Sequence, residues 1–244
     1  MTQPSNIKLK ARLYLLKLFD ALYTFPKWRR FEKLLRQCAS THDDFFFVQI
    51  GANDGVVYDP VYPYVTRYNW RGILVEPVEY YFNKLKKNYE KNTRLIFENV
   101  AISDKEEARD FYRIQEGIDY LPKWCGGLGT FNLEVLLTHK WAIPNLEDYI
   151  VTTKVNCIPL GSLLAKYAVE KIDLLLIDTE GYDHEIIKQI DFTKIQPRII
   201  VYEHKHVNKT DRRYCECLLK RHNYRLTKHI ANTLALLNSP RGPG

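Results

Sequence analysis

The chain has 244 residues, 45% of them hydrophobic, which excludes a disordered chain and allows one large core. Its formal net charge of +7 keeps anionic partners in view, but Lys and Arg are scattered over many apparent helices with no dense basic run, as on solvated faces, so no specific nucleic-acid partner is expected. Five cysteines without a CxxC pair exclude a disulfide framework and a zinc ribbon and suit free thiols in a reducing cytoplasm, and no run of 18 apolar residues predicts a membrane span.

Residues 1–40 read as an N-terminal helical extension. Ile7 to Tyr23 form a basic amphipathic helix without a cleavage site. It is expected to pack on the domain or on a second subunit, as in a homodimer, more than on a membrane surface. Residues 41–238 read as one α/β domain. "FFFVQIG" (Phe45–Gly51), "GILVEP" (Gly72–Pro77), "RLIFENVAIS" (Arg94–Ser103), "IDLLLIDTE" (Ile172–Glu180) and "RIIVYEH" (Arg198–His204) are apolar strands. Amphipathic helices separate them, so the sheet is parallel, covered on both faces and doubly wound in three α/β/α layers. The segment at about 115–150 is rich in Gly, Pro and Trp and reads as a lid-like insertion holding the helix "NLEVLLTHKWA". Near the end, "YRLTKHI" (Tyr224–Ile230) and "NTLALLN" (Asn232–Asn238) predict a hairpin or an antiparallel strand beside parallel neighbours. Residues 239–244 read as a flexible tail.

The first strand runs into "GANDG". Gly51 and Gly55 permit tight backbone turns, and Asn53 and Asp54 present polar side chains there. This is not a GxGxxG loop, and the Asp54 carboxylate repels a pyrophosphate. Glu76 ends the second strand 25 positions after Gly51, where an acid accepts hydrogen bonds from ribose hydroxyls. Glu76 and the following Pro77 with this loop fit an adenosine-type ligand lacking a pyrophosphate. S-adenosylmethionine meets that description better than NAD. Asn99 is placed to reach an adenine edge, with Val100, Ala101 and Ile102 as apolar walls.

Together "VQIGANDG", "GILVEPVEYYFNKLKKNY", "ENVAIS", "IDLLLIDTEGYDHEIIK" and "IVYEHKH" resemble the FkbM family of S-adenosylmethionine-dependent methyltransferases, over roughly Phe45 to Leu237. The chain has "TEGYD" where "VEGAE" is frequent. The resemblance implies a class I methyltransferase fold, Rossmann-like, with an antiparallel C-terminal strand. It also implies methyl transfer, often to a hydroxyl of a sugar or natural product and in some relatives to a peptide nitrogen. The acceptor is accordingly a small molecule, a glycan or a peptide. An NAD-dependent oxidoreductase and a basic RNA-binding module are the rival readings.

Asp178 ends one strand and Glu203, His204 and His206 end the next. If these strands are neighbours, their ends lie about 5 Å apart. Two mechanisms follow. His204 or Asp178 is the general base, with Glu180 near the acceptor, while Asp178 also borders the donor. Alternatively Asp178, Glu203 and His204 hold Mg²⁺, which lowers the acceptor's pKa. The second arrangement resembles catechol O-methyltransferase, where acids at corresponding strand ends bind magnesium. Pairing of Glu203 with Lys205 or an Arg is the plainer reading of that residue.

Overall fold

The computed structural model describes residues 29–41, 44–118, 121–143 and 145–238. The predicted helix at Ile7–Tyr23 and the tail at 239–244 lie outside the described residues. No helix among those described is long and apolar enough to cross a membrane.

Chain order begins with α1 (Arg29–Thr41), β1 (Phe46–Ile50), α2 (Tyr62–Tyr68), β2 (Arg71–Val75), α3 (Glu79–Asn88) and β3 (Leu95–Glu98). An insertion follows, with β4 (Ala101–Ile102), β5 (Glu107–Ile114), β6 (Gly129–Thr130), α4 (Leu133–Leu137) and β7 (Ile150–Ile158). Then come α5 (Leu160–Lys166), β8 (Leu174–Ile177), α6 (Asp183–Lys188), β9 (Ile199–Glu203), α7 (Lys209–Arg221), β10 (Tyr224–His229) and β11 (Asn232–Leu237).

The main sheet has the order β10-β11-β9-β8-β1-β2-β3. β3, β2, β1, β8 and β9 run parallel, and β11 runs against β9 and β10. The C-terminal segments are thus both a hairpin and the source of the antiparallel strand. This is the class I methyltransferase arrangement of a mostly parallel sheet with one strand reversed near its edge.

Alternation along each buried strand feeds two cores. Val48, Ile73 and Leu175 face α5, α6 and α7 through Leu163, Ile186 and Leu219. Phe47, Leu74 and Leu176 face α1, α2 and α3 through Leu35, Val65 and Leu85. Period-2 side-chain direction places neighbouring residues of one strand in opposite cores, giving the three layers.

The segment at 94–103 is not one strand. β3 ends at Glu98, and the Asn99 side-chain amide donates to the Glu76 and Pro77 carbonyls at 2.8 and 3.0 Å. The chain leaves the sheet there, and β4 joins a second sheet of order β4-β7-β5-β6. β5 and β7 pair antiparallel along their length, from Glu107 opposite Cys157 to Ile114 opposite Ile150.

At the carboxyl end of β1, the Gly51 and Ala52 N–H groups both donate to the Val75 carbonyl at 3.0 Å. Gly51 has φ +82°, and a Cβ there would stand 1.9 Å from the Asp178 carbonyl oxygen. Only glycine fits between the ends of β1 and β8. Gly51→Ala is therefore expected to cost about 3 kcal/mol or more of unfolding free energy, from left-handed strain and backbone collision together. A methyl group on exposed Gly161, in the first turn of α5, would meet nothing within 4 Å, so Gly161→Ala is expected to add about 0.5–1 kcal/mol. Urea unfolding of the two variants should move in opposite directions.

Candidate functional site

The carboxyl ends of β1, β2 and β8 open into a cleft lined by Gly51, Asn53, Glu76, Pro77, Asp178 and Thr179, with Val100, Ala101 and Ile102 along one side. Glu76 is buried at its floor. Its carboxylate accepts the Asn53 N–H and the Val78 N–H, each at 2.8 Å. Burial pushes its pKa up to about 7, against the pull of those two N–H groups. One carboxylate thus fixes the turn after β1 and the exit from β2, and each oxygen keeps a lone pair.

Two loop residues predicted for the cleft point elsewhere. Asp54 Oδ1 accepts the Val56 and Val57 N–H groups at 2.9 Å, which closes the local turn, and Asp54 is not on the cleft wall. Gly55 packs toward Leu85 and Tyr89. Asn99 commits its amide N–H groups to the β2 exit rather than to the cleft, although its neighbours Val100 and Ala101 do line it. The short polar side chains follow ordinary turn chemistry, in which Asp and Asn satisfy nearby backbone groups.

The insertion roofs the cleft. A short 3₁₀ turn, Lys123–Gly127, brings Gly126 and Gly127 over it. A Cβ at Gly126 would stand 2.7 Å from the Tyr81 hydroxyl, and one at Gly127 would stand 2.9 Å from Asn53 Nδ2. Phe131 adds an aromatic wall, with the Arg109 guanidinium 4.2 Å above its ring. Sequence reasoning placed glycines and aromatics in this segment but had no signal for their partners.

Beside the cleft, the ends of β8 and β9 gather charge. Oxygens of Asp178, Glu180 and Glu203 lie within 4.8 Å of one another, as do ligand atoms of His139, Glu180 and His206. His204, expected as base or metal ligand, belongs to neither group. Its Nδ1 meets Thr233 Oγ1 at 2.9 Å, its N–H donates to the Ala231 carbonyl, and it is buried against β11. The imidazole beside Glu203 is that of His206, two residues on and past the strand end. His139 comes from the insertion, where nothing in its spacing marked it.

Asp183 builds this corner. Fully buried, it accepts the Thr179 hydroxyl at 2.7 Å and N–H at 3.2 Å on one oxygen, and the Glu203 N–H at 2.9 Å on the other. Glu180 sits at φ +49°, and its carbonyl accepts the Thr130 hydroxyl at 2.8 Å. Burial and the neighbouring Glu180, Asp178 and Asp183 charges hold the Glu203 carboxyl well above its ordinary pKa. Burial alone would raise Glu180 too, but His206, His139 and Lys205 hold it below its ordinary value.

Residues 49–234 match the family model of the methyltransferase FkbM domain. The chain belongs to the FkbM methyltransferase family. The solved FkbM methyltransferase of Methylobacillus flagellatus KT aligns at 14% identity and TM-score 0.47, over 80% of this chain and 44% of that one. The ribosomal protein L11 methylase of Lactobacillus delbrueckii subsp. bulgaricus aligns at 8% identity and TM-score 0.41, over 84% and 74%. The human methyltransferase 10 domain containing protein aligns at 12% identity and TM-score 0.45, over 87% and 82%. No curated protein matches the chain.

FkbM membership carries S-adenosylmethionine with it as methyl donor, and the cleft residues fit that molecule. The tight approach at Gly51 opens backbone to the ligand, the Glu76 carboxylate has lone pairs for hydroxyls, and Val100 and Ala101 offer an apolar wall. The charged corner beside the cleft of this FkbM protein is framed by Asp183. Asp183→Ala would strand three donors that the carboxylate now satisfies, and is expected to cost about 3 kcal/mol in unfolding free energy. Denaturant unfolding checks the cost, and Asp183→Asn should recover part of it.

Proposed function

We propose that the chain transfers the methyl group of S-adenosylmethionine to a hydroxyl oxygen of a small-molecule or glycan acceptor. The observation that carries this reading is the double position of Asp178. It lines the donor cleft and also belongs to the carboxylate cluster with Glu180 and Glu203.

S-adenosylmethionine supplies an electrophilic methyl group on a sulfonium when bound. Gly51, Asn53 and Glu76 hold its polar end and sugar, and Val100 and Ala101 flank its base. The Gly126–Gly127 turn covers the cleft and excludes water, which strengthens every charge inside. Asp178 orients the acceptor hydroxyl and takes its proton as the oxygen attacks. The bond from methyl carbon to sulfur breaks, the bond to oxygen forms, and the products are a methyl ether and S-adenosylhomocysteine. The acidic groups gathered on the acceptor side, with Glu180 held ionised, favour a neutral polyol over a phosphate, which argues against nucleic acid.

Asp178→Asn is expected to lower kcat by about 100-fold or more while S-adenosylhomocysteine binding changes little. Calorimetry beside methyl-transfer assays on candidate polyols separates the two, and an equal collapse of donor affinity would move Asp178 wholly to the donor site. Glu76 accepts ribose hydroxyls best when ionised. Its pKa of about 7 means the charged form predominates above that pH and is lost below it. Donor affinity should accordingly fall as pH drops through 7. In Glu76→Gln it should be weaker by about tenfold and flat with pH.

A further inference from the structure

Three separate parts of the chain converge on the cluster beside the cleft. Glu180 follows β8, Glu203 and His206 stand at the end of β9, and His139 comes from the insertion. Glu180 belongs both to the group of three carboxylates and to the group with two imidazoles.

Ion pairing leaves this cluster incomplete. His206 Nε2 stands 3.3 Å from Glu180 Oε2 and 3.9 Å from Glu203 Oε2. Neither approach is aligned as a hydrogen bond, and both His206 Nε2 and Glu203 Oε2 are buried without a hydrogen-bond partner. Glu203 is only 8% exposed, and the His206 side chain 6%. Buried polar atoms are almost always partnered, and a buried carboxylate oxygen left alone needs a reason. Ligands bound about 2.0–2.2 Å from one ion stand roughly 3–4 Å from each other; the two His206–carboxylate distances fall in that range, and the ligand atoms of His139, Glu180 and His206 all lie within 4.8 Å of one another. His139 Nδ1 also meets the Leu136 carbonyl at 3.3 Å, the kind of backbone partner that orients a ligating imidazole.

We propose that His139, Glu180 and His206 hold one divalent first-row transition cation, with Glu203 as a further oxygen ligand and Asp178 on the side facing the donor cleft. Two imidazoles select Mn²⁺, Co²⁺ or Zn²⁺ over Mg²⁺, which prefers an all-oxygen shell. The ion neutralises the gathered carboxylates and satisfies both orphaned atoms. Its catalytic use rests on the methyl-transfer reading. There it binds the acceptor hydroxyl and lowers its pKa, and Asp178 takes the proton. The site itself does not depend on that reading. It also ties the insertion to β8 and β9.

The test is titration of EDTA-stripped, dialysed protein with Co²⁺, followed by visible absorption, with Zn²⁺ and Mg²⁺ titrated in parallel by calorimetry. One equivalent of Co²⁺ should bind with a ligand-field spectrum, Zn²⁺ should displace it, and Mg²⁺ should not compete. Glu203→Gln keeps the side chain's shape, and His206→Gln removes an imidazole; each should weaken Co²⁺ by roughly tenfold or more. A thermal melt of each variant shows that it is folded, and Glu203→Gln alone decides if His206→Gln is not. No stoichiometric Co²⁺ binding by folded protein, or unchanged binding in Glu203→Gln, would overturn the site. S-adenosylhomocysteine titrated into the same stripped sample reports separately on the donor reading.

Discussion

Five parallel strands buried on both faces leave polar chemistry one place to emerge. β1, β2, β8 and β9 carry apolar side chains into two cores, so no face of the sheet is free for a ligand. Their carboxyl ends are the exception, and the chain reverses there under tight limits. Gly51 passes against the Asp178 carbonyl because it lacks a Cβ. That approach holds β1 and β8 at sheet spacing right up to the cleft. The cleft at the ends of β1 and β2 and the charged cluster at the ends of β8 and β9 are neighbours for this reason.

Buried carboxylates then shape both sides by the same device. Glu76 ties two backbone N–H groups at the cleft, and Asp183 ties two N–H groups and a hydroxyl at the charged corner beside it. Each compensates its desolvation with hydrogen bonds to groups that would otherwise be unsatisfied. The loops they hold gain a fixed shape without helix or strand. Glu203 differs, since burial and its acidic neighbours oppose its charge while one oxygen has no partner.

Fold class was legible because it rests on local pattern. Buried strands announce themselves as unbroken apolar runs such as "IDLLLID", and the helices between them alternate apolar and charged residues. The second sheet was not legible. "EARDFYRI" mixes charges into a strand whose partner, "IVTTKVNCI", lies far along the chain, and no local signal joins them. The split at Asn99 is likewise decided by a side-chain amide reaching backbone carbonyls of a neighbouring strand. At the cleft, sequence position brought Gly51, Asn53, Glu76 and Asp178 to strand ends that line it. It misdirected Asp54 and Gly55, because period and motif do not say which way a turn residue faces. His204 and His206 are the sharper case. Past the end of β9 alternation no longer applies, so two imidazoles in "EHKH" look equivalent in sequence and separate in space.

The insertion reaches both the cleft and the charged cluster. It supplies the glycine turn above the donor cleft, the Thr130 hydroxyl that holds the Glu180 carbonyl, and the His139 ring that lies near His206 at 5.5 Å between centroids. A connection that served only as a cover would not need polar groups inside the neighbouring cluster. A connection that served only the cluster would not need Gly126 and Gly127 packed so closely on Tyr81 and Asn53. The glycine turn, Thr130 and His139 all stand on the chain between β5 and β7, so one framework reaches both the cleft and the charged cluster beside it.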